Sequence, residues 1–196
     1  MTVSPERLAR WLSGFEERHG PAAVEAGQDE VVHTAADGAV AAVEVPFPPL
    51  AGPLVEHVLR DRVVGVLLVR LGGHAAGVFE GTRLVASKVG SRNVQGRSAA
   101  GGWSQQRFAR RRAGQAVVAH AAAADDAAKV LLGQDLDALL VGGDRNGVDA
   151  VLADRRLVHL QGLVTGRLLA VPDPRLKVLQ EVPFRDVRIR VVEPPE

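Results

Sequence analysis

The sequence predicts an α/β fold in which a mixed β-sheet and its flanking helices form three layers, preceded by a small α+β unit. Two observations carry this prediction. Short runs rich in valine and leucine alternate with helical stretches from residue 61 onwards, a pattern typical of a sheet covered by helices. In addition, 196 residues, of which 46% are apolar, suit one main domain with a smaller one attached.

The first sixty residues predict the small α+β unit. Ser4 and Pro5 form a favourable helix start, and apolar residues recur at helical spacing until Gly20 and Pro21 end the helix. The segments expected after it are two strands (30–34 and 40–45), a proline-rich connector (46–53) and a short helix (54–60).

Residues 61–196 predict the larger domain. Three β-rich runs, at residues 62–71, 74–81 and 82–90, favour a meander, and a long helix is expected from Gln105 with Ser104 as its cap. The elements expected next are a buried strand (136–143), a helix capped by Asp144 (147–154), a strand or turn (157–163), a further helix (174–182) and a closing strand (184–193).

The long helix has little to bury at its start. Its periodic apolar positions begin only at Val117, Val118, Ala121 and Ala124. A helix from Gln105 to Ala124 would be roughly 30 Å long. We therefore expect its first two turns to project from the domain.

Charge is unevenly distributed along a chain whose formal net charge is only +1. Residues 1–60 contain nine acids and four arginines, whereas residues 88–112 contain seven bases and no acid. Such a basic run is typical of a polyanion partner, but a solvated arginine-rich helix face has the same composition. The absence of cysteine excludes disulfides and thiolate metal sites. No apolar run approaches the ~20 residues of a membrane span, and the N-terminus lacks a signal-peptide pattern, so a cytoplasmic protein without a membrane partner is expected.

Other candidate sites have structural explanations that fit better. The six histidines show no metal-binding spacing, so no metal or other cofactor is expected. Residues 142–147 are rich in glycine but lack the lysine and spacing of a phosphate loop, which favours a plain turn. Capping and solvation account for Asp144, Asp149 and Asp154. A helix cap fits Ser104 better than a nucleophile does.

The segment GRSAAGGWSQQRFARRR, residues 96–112, combines a glycine tip, glutamines and a basic helix start. Gly101 and Gly102 would let backbone N–H groups approach a reacting carbonyl. Glutamine can orient a water molecule or donate a hydrogen bond to an oxyanion, and Gln105 and Gln106 follow closely. Arginines behind the tip would bind phosphates. These features favour a glutamine carried on a basic stalk into an RNA-lined pocket to hydrolyse an ester.

This segment resembles the loop and helix start of the middle domain of archaeal and eukaryotic class I peptide-chain release factors, where Gly-Gly-Gln precedes Ser and Arg-Phe-Ala-Arg. The positions that match are Gly101, Gly102, Ser104, Arg107, Phe108, Ala109 and Arg110. The order of elements over residues 62–192 is also similar. The resemblance implies an RNase H-like sheet domain with a protruding loop at residues 91–106, acting on peptidyl-tRNA at the peptidyl-transferase centre of the large ribosomal subunit.

The match departs from that family at the catalytic glutamine, whose position is held here by Trp103. A shifted glutamine is similar to the Vms-type peptidyl-tRNA hydrolases of ribosome quality control, which have a branch in actinobacteria. In those enzymes the motif is glycine-x-x-glutamine, which counted from Gly101 would place the glutamine at Ser104, one residue before Gln105. The resemblance implies that Gln105, or alternatively Gln106, is catalytic.

The resemblance also implies contacts with rRNA or tRNA, by arginines to the backbone and by a tryptophan to a stacked base. The residues expected to bind RNA are Arg92, Arg97, Trp103, Arg107, Arg110, Arg111 and Arg112. We expect no stop-codon-reading domain, hence codon-independent release from stalled ribosomes or split large subunits. Two alternatives stay open: a non-catalytic ribosome-binding rescue factor, which Trp103 favours, and a structural RNA-binding protein of similar fold.

Overall fold

The computed structural model describes residues 1–91, 103–182 and 185–194, and for residues 103–109 and 112 it describes the backbone alone. The protein is a mixed α/β structure with two sheets and flanking helices, so the predicted α/β class is confirmed. The chain falls into two compact units, one formed by residues 1–61 with 183–196 and the other by residues 62–182. Within the described ranges, none of the helices combines the length and apolar character needed to cross a membrane.

In chain order, the elements are β1 (Thr2–Val3), α1 (Pro5–His19), β2 (Ala22–Ala26), β3 (Glu30–Ala35), β4 (Val40–Glu44), α2 (Leu54–Leu59), β5 (Val63–Arg70), β6 (Gly73–Glu80), β7 (Arg83–Ser91), α3 (Trp103–Leu131), β8 (Ala138–Gly143), α4 (Arg145–Leu152), a 3-10 helix (Val158–Leu163), α5 (Leu176–Gln180) and β9 (Val187–Val192).

The first unit contains a five-stranded antiparallel sheet in the order β1-β9-β4-β3-β2, together with α1 and α2. Helix α1 begins and ends where the sequence predicts, although the Ser4 side chain makes no capping hydrogen bond. Gly20 ends the helix with φ at +86°, which glycine adopts without a steric penalty. Leu8 and Phe15 share one face of α1 and are fully buried in the core of this unit.

The second unit contains a four-stranded mixed sheet in the order β7-β6-β5-β8. Strands β5, β6 and β7 form the predicted antiparallel meander. Strand β8 pairs parallel with β5, in register from Val64 opposite Ala138 to Val69 opposite Gly143. A parallel neighbour needs a long crossover, and helix α3 lies in that connection.

Helices cover both faces of this second sheet, which makes the three layers that the sequence predicts. On one face, Ala127 of α3 and Val148 of α4 share a buried core with Leu67 of β5. On the opposite face, α5 lies close to β6 at Gly77, where a Cβ atom would lie 2.8 Å from the Leu179 side chain. The missing side chain at Gly77 therefore lets α5 approach the sheet.

Two predicted element positions are corrected by the structure. The closing strand β9 lies between β1 and β4 in the first sheet, whereas the sequence predicts it in the domain at 61–196. Its alternating pattern explains this placement, because Val187 and Ile189 are buried in the core of the first unit. Helix α3 begins at Trp103, so Ser104 lies inside the helix and is not its cap, and the helix continues past Ala124 to Leu131.

Candidate functional site

Helix α3 packs on the sheet through its C-terminal half, and before that half none of the described side chains is buried. Its 29 residues span ~44 Å. The first described side chain to be buried is Ala119, and burial continues through Ala123, Ala124, Ala127 and Ala128. These small side chains face β6 and β7, the strands that α3 contacts most. Residues 103–118 precede this packed half. Where their side chains are described, at residues 110, 111 and 113–118, none is buried, and we call this described stretch, 110–118, the unpacked half.

The side chains that mark the unpacked half are two arginines and two valines. Arg110 and Arg111 are exposed, and neither forms an ion pair with a residue in the described part of the chain. No acid lies in the first turn of α3. Because the positive end of the helix macrodipole is at this same end, the unpacked half attracts anions such as phosphate.

Val117 and Val118, by contrast, do not begin the buried stripe that the sequence predicts. They are 68% and 60% exposed, and Ala121 is exposed as well, so of the four positions predicted to begin the apolar stripe only Ala124 is buried. The helix packs through a seam of alanines with a spacing of four residues, beginning at Ala119, and the two valines lie off this seam. Burial in α3 therefore begins at Ala119 and not at Val117, whereas most side chains of the first two turns, which the sequence predicts to project, lie outside the description.

The packed half of α3 is joined to the sheet by a charged cluster around Asp126. This carboxylate accepts a hydrogen bond from Nε2 of His74 on β6 at 3.1 Å and lies 3.3 Å from Nζ of both Lys88 on β7 and Lys129 on α3. Burial acts to raise the pKa of Asp126, but the hydrogen bonds from His74, Lys88 and Lys129 outweigh it and hold the pKa below its usual value. A Cβ atom at Gly90 would lie 2.5 Å from the His74 ring, so this glycine leaves room for the cluster.

Sequence reasoning missed this cluster. Its members come from three elements, and the only local signal is the pair Asp126 and Lys129 at i,i+3 on one helix. The cluster places one carboxylate among three nitrogen groups and thereby joins α3 to β6 and β7. In the described ranges, no three histidine, aspartate or glutamate side chains are arranged so that they could hold a metal ion.

The predicted catalytic and RNA-binding residues are described only in part. Gly101, Gly102, Arg92 and Arg97 lie outside the described residues. The positions with helical backbone whose side chains lie outside the description are Trp103, Gln105, Gln106, Arg107 and Arg112. Residues 103–106 of the predicted loop at 91–106 therefore belong to the first turn of α3. The roles of all these residues stay predictions.

The glycine-rich turn after β8 is occupied by backbone contacts. The Asp144 N–H donates to the Val69 carbonyl at 2.7 Å, and a Cβ atom at Gly143 would collide with the same carbonyl oxygen. Asp144 holds the position before α4 but makes no side-chain capping hydrogen bond. The turn therefore links α4 to the sheet, and it is the plain turn that the sequence favours.

Asp154 follows the end of α4. It accepts hydrogen bonds from Arg156, which lowers the pKa of that carboxyl to about 2.

Two comparisons with known proteins find similarity. The family model described as the actinobacteria/chloroflexi VLRF1 release factor matches residues 62–192. The crystal structure of an archaeal translation termination factor, aRF1, is similar with a TM-score of 0.45 and 14% sequence identity, over 78% of this chain and 50% of that chain. The chain therefore spans half the length of that factor. No curated protein matches the sequence.

Proposed function

Since the chain belongs to the actinobacteria/chloroflexi VLRF1 release factor family, we propose that it hydrolyses the ester bond of peptidyl-tRNA. It thereby releases nascent chains from stalled ribosomes or from split large subunits, without reading a stop codon. Membership of the family supports a role in release. The ester substrate, the ribosomal particle and the independence from a codon are parts of the proposal.

The observation that carries the proposal is the unpacked half of α3. Because no described side chain between residues 110 and 118 is buried, this part of α3 can enter a recess in another macromolecule while the C-terminal half stays packed on the sheet. Arg110 and Arg111 can bind phosphates without first breaking an ion pair, since they form none among the described residues. Guanidinium groups also bind phosphate in a bidentate way, which orients the helix as well as attracting it.

In the proposed mechanism, Gln105, or alternatively Gln106, orients a water molecule toward the ester carbonyl carbon. Attack by water forms a tetrahedral oxyanion, which backbone N–H groups at Gly101 and Gly102 stabilise. The bond from that carbon to the tRNA ribose oxygen then breaks, and the ribose oxygen takes a proton. A neutral glutamine cannot accept the proton of the attacking water, so that proton passes to water or to RNA groups of the site.

The RNA contacts in this proposal follow the basic run of the sequence. Arginines hold the rRNA or tRNA backbone, and Trp103 stacks on an unpaired base. The arginines assigned to this role are Arg92, Arg97, Arg107, Arg110, Arg111 and Arg112. A ribosomal substrate places this activity in the cytoplasm.

The test is release of a labelled nascent chain from peptidyl-tRNA on stalled ribosomes and on isolated large subunits. Gln105→Ala and Gln106→Ala are compared with wild type and with Gln134→Ala, a matched control because Gln134 is exposed in the turn after α3. We expect release to collapse in one of the two test variants and to persist in the control. Equal release on sense-codon and stop-codon complexes is expected as well. Release that survives in a protein carrying both Gln105→Ala and Gln106→Ala contradicts the assigned chemistry.

A second candidate function, a non-catalytic rescue factor, is favoured by one observation. Trp103 occupies the position of the catalytic glutamine in the release factors that this chain resembles. This candidate predicts binding to stalled ribosomes or large subunits without any release of the labelled chain. Co-sedimentation with both particles, run beside the release assay, distinguishes the two.

A further inference from the structure

A second basic surface lies on α1, in the first unit, and the proposed function does not use it. Arg7, Arg10 and Arg18 line a groove with a volume of about 400 Å³, together with Trp11 and residues 1–4. All three arginine side chains are exposed. They extend along one side of α1 over ~17 Å.

These arginines are concentrated in one groove although their segment of the chain is acidic overall. Residues 1–60 carry nine acids and four arginines, and three of those four line the groove. In the part of the chain that the structure describes, no acid lines the groove and no ion pair neutralises its arginines. Arg7 and Arg10 lie three residues apart on the helix, a spacing at which like charges repel. A bound anion would relieve that repulsion.

A neighbouring pocket shows that this charge is local. The pocket has a volume of about 740 Å³ and lies over the strands of the same unit. It contains Glu30 and Glu44 beside Arg188 and Arg190, and Arg190 lies 3.5 Å from Glu30. Positive and negative charges therefore compensate there, in contrast to the groove on α1.

Trp11 gives the groove an aromatic wall. Its ring stacks on Phe15 at a centroid distance of 5.8 Å and an interplanar angle of 14°, and Phe15 is fully buried. The Trp11 ring is therefore held in place while it remains half-buried at the groove. Surfaces that bind single-stranded nucleic acid combine these two elements, because bases stack on aromatic rings and arginines bind phosphates. An acidic peptide would satisfy the arginines but has no base to stack.

We propose that this groove is a second RNA-binding site, in which Arg7, Arg10 and Arg18 bind the phosphates of one RNA strand and Trp11 stacks on a base. The inference rests on the proposed function only for the source of the RNA, which would be the ribosome or its tRNA. RNA binding in the groove does not depend on ester hydrolysis. The two can therefore be tested separately.

The first test measures binding of the full chain to an unstructured, fluorescein-labelled single-stranded RNA over a series of salt concentrations. The groove variant replaces Arg7, Arg10 and Arg18 with alanine. The charge-matched control replaces three exposed arginines of the second unit that lie outside α3, at Arg145, Arg155 and Arg175. A third protein, with Arg110→Ala and Arg111→Ala, reports on α3.

We expect the groove variant to lower the slope of log K against log salt by about 2, because each phosphate contact on a single strand contributes about 0.7. The control should keep the slope of the wild type. A groove variant that behaves like the control overturns this inference, and the α3 variant and the release assay then decide the proposed function by themselves. Matching urea midpoints establish that the variants are folded.

The second test uses tryptophan fluorescence. Trp11 and Trp103 are the two tryptophans of the chain, so Trp103→Phe leaves Trp11 as the sole emitter. RNA should quench this emission, and the three arginine substitutions should remove the quenching. Absence of quenching overturns the assignment. Displacement of the RNA by polyglutamate at an equal concentration of charge overturns it as well and indicates an acidic protein partner instead.

Discussion

Replacing Asp126 with alanine should lower the free energy of unfolding by about 2–4 kcal/mol, because this carboxylate joins α3 to two strands of the second sheet. The largest part comes from His74, whose side chain is 5% exposed and loses the acceptor for its Nε2. A buried donor left without a partner costs about 1–3 kcal/mol. Lys88 and Lys129 are 44% and 61% exposed, so solvent screening limits each of their pairs with Asp126 to about 0–1 kcal/mol.

The assay is urea unfolding followed by far-UV circular dichroism, with stability taken from the midpoint and the slope. Asp125→Ala is the matched control, since Asp125 is the next residue of α3, is 56% exposed and pairs with Arg156 at 2.8 Å. This surface pair should contribute little to stability, because solvent screens it. Asp126→Asn keeps an acceptor for His74 and should cost less than Asp126→Ala. If Asp126→Ala costs no more than Asp125→Ala, the cluster does not fasten α3 and the reasoning is refuted.

The same cluster has a pH signature. The pKa of Asp126 in the folded protein lies below its usual value of 3.8. The ionised carboxylate therefore makes its full contribution to the free energy of unfolding above pH 3.8, and this contribution is lost as the pH falls through the lowered pKa. The stability difference between wild type and Asp126→Asn should narrow below about pH 4. A difference that stays constant into that range would contradict the assigned hydrogen bonds.

Four further predictions concern single residues. His33 is 8% exposed, its Nε2 has no hydrogen-bond partner among the described residues, and burial lowers its pKa below 6.5. Urea midpoints of the wild type should therefore fall as the pH drops below 6.5. The variant His33→Leu should lose that pH dependence, and a variant with the same pH profile as the wild type would contradict the prediction. Gly143→Ala should cost roughly 3 kcal/mol, because φ is +96° and a Cβ atom would meet the Val69 carbonyl. Gly114→Ala has open space around it in the unpacked half of α3 and should stabilise the helix by up to about 1 kcal/mol, seen as higher helical content. Val118→Lys should change the unfolding free energy by less than about 0.5 kcal/mol, and a larger loss would mean that this half of α3 is packed.

The sequence by itself determined the local elements and the resemblance to release factors. Helix α1, the meander of β5 to β7 and the turn at Gly143 were predicted because their signals are local: helix starts, glycine turns and the spacing of apolar residues. The α/β class followed from the order of those elements. Strand β2 was missed because its residues are nearly all exposed and show no alternation.

Tertiary structure alone decided which elements share a sheet and which faces pack. Strand β9 could be recognised as a strand, but its place between β1 and β4 depends on partners at the other end of the chain. Alanine and valine both count as apolar in a pattern, so the pattern could not show that α3 packs through alanines and leaves Val117 and Val118 exposed. The groove on α1 was hidden for a related reason. The net charge of a segment says nothing about which charges the fold brings together, and contacts between distant residues depend on packing that no local pattern specifies.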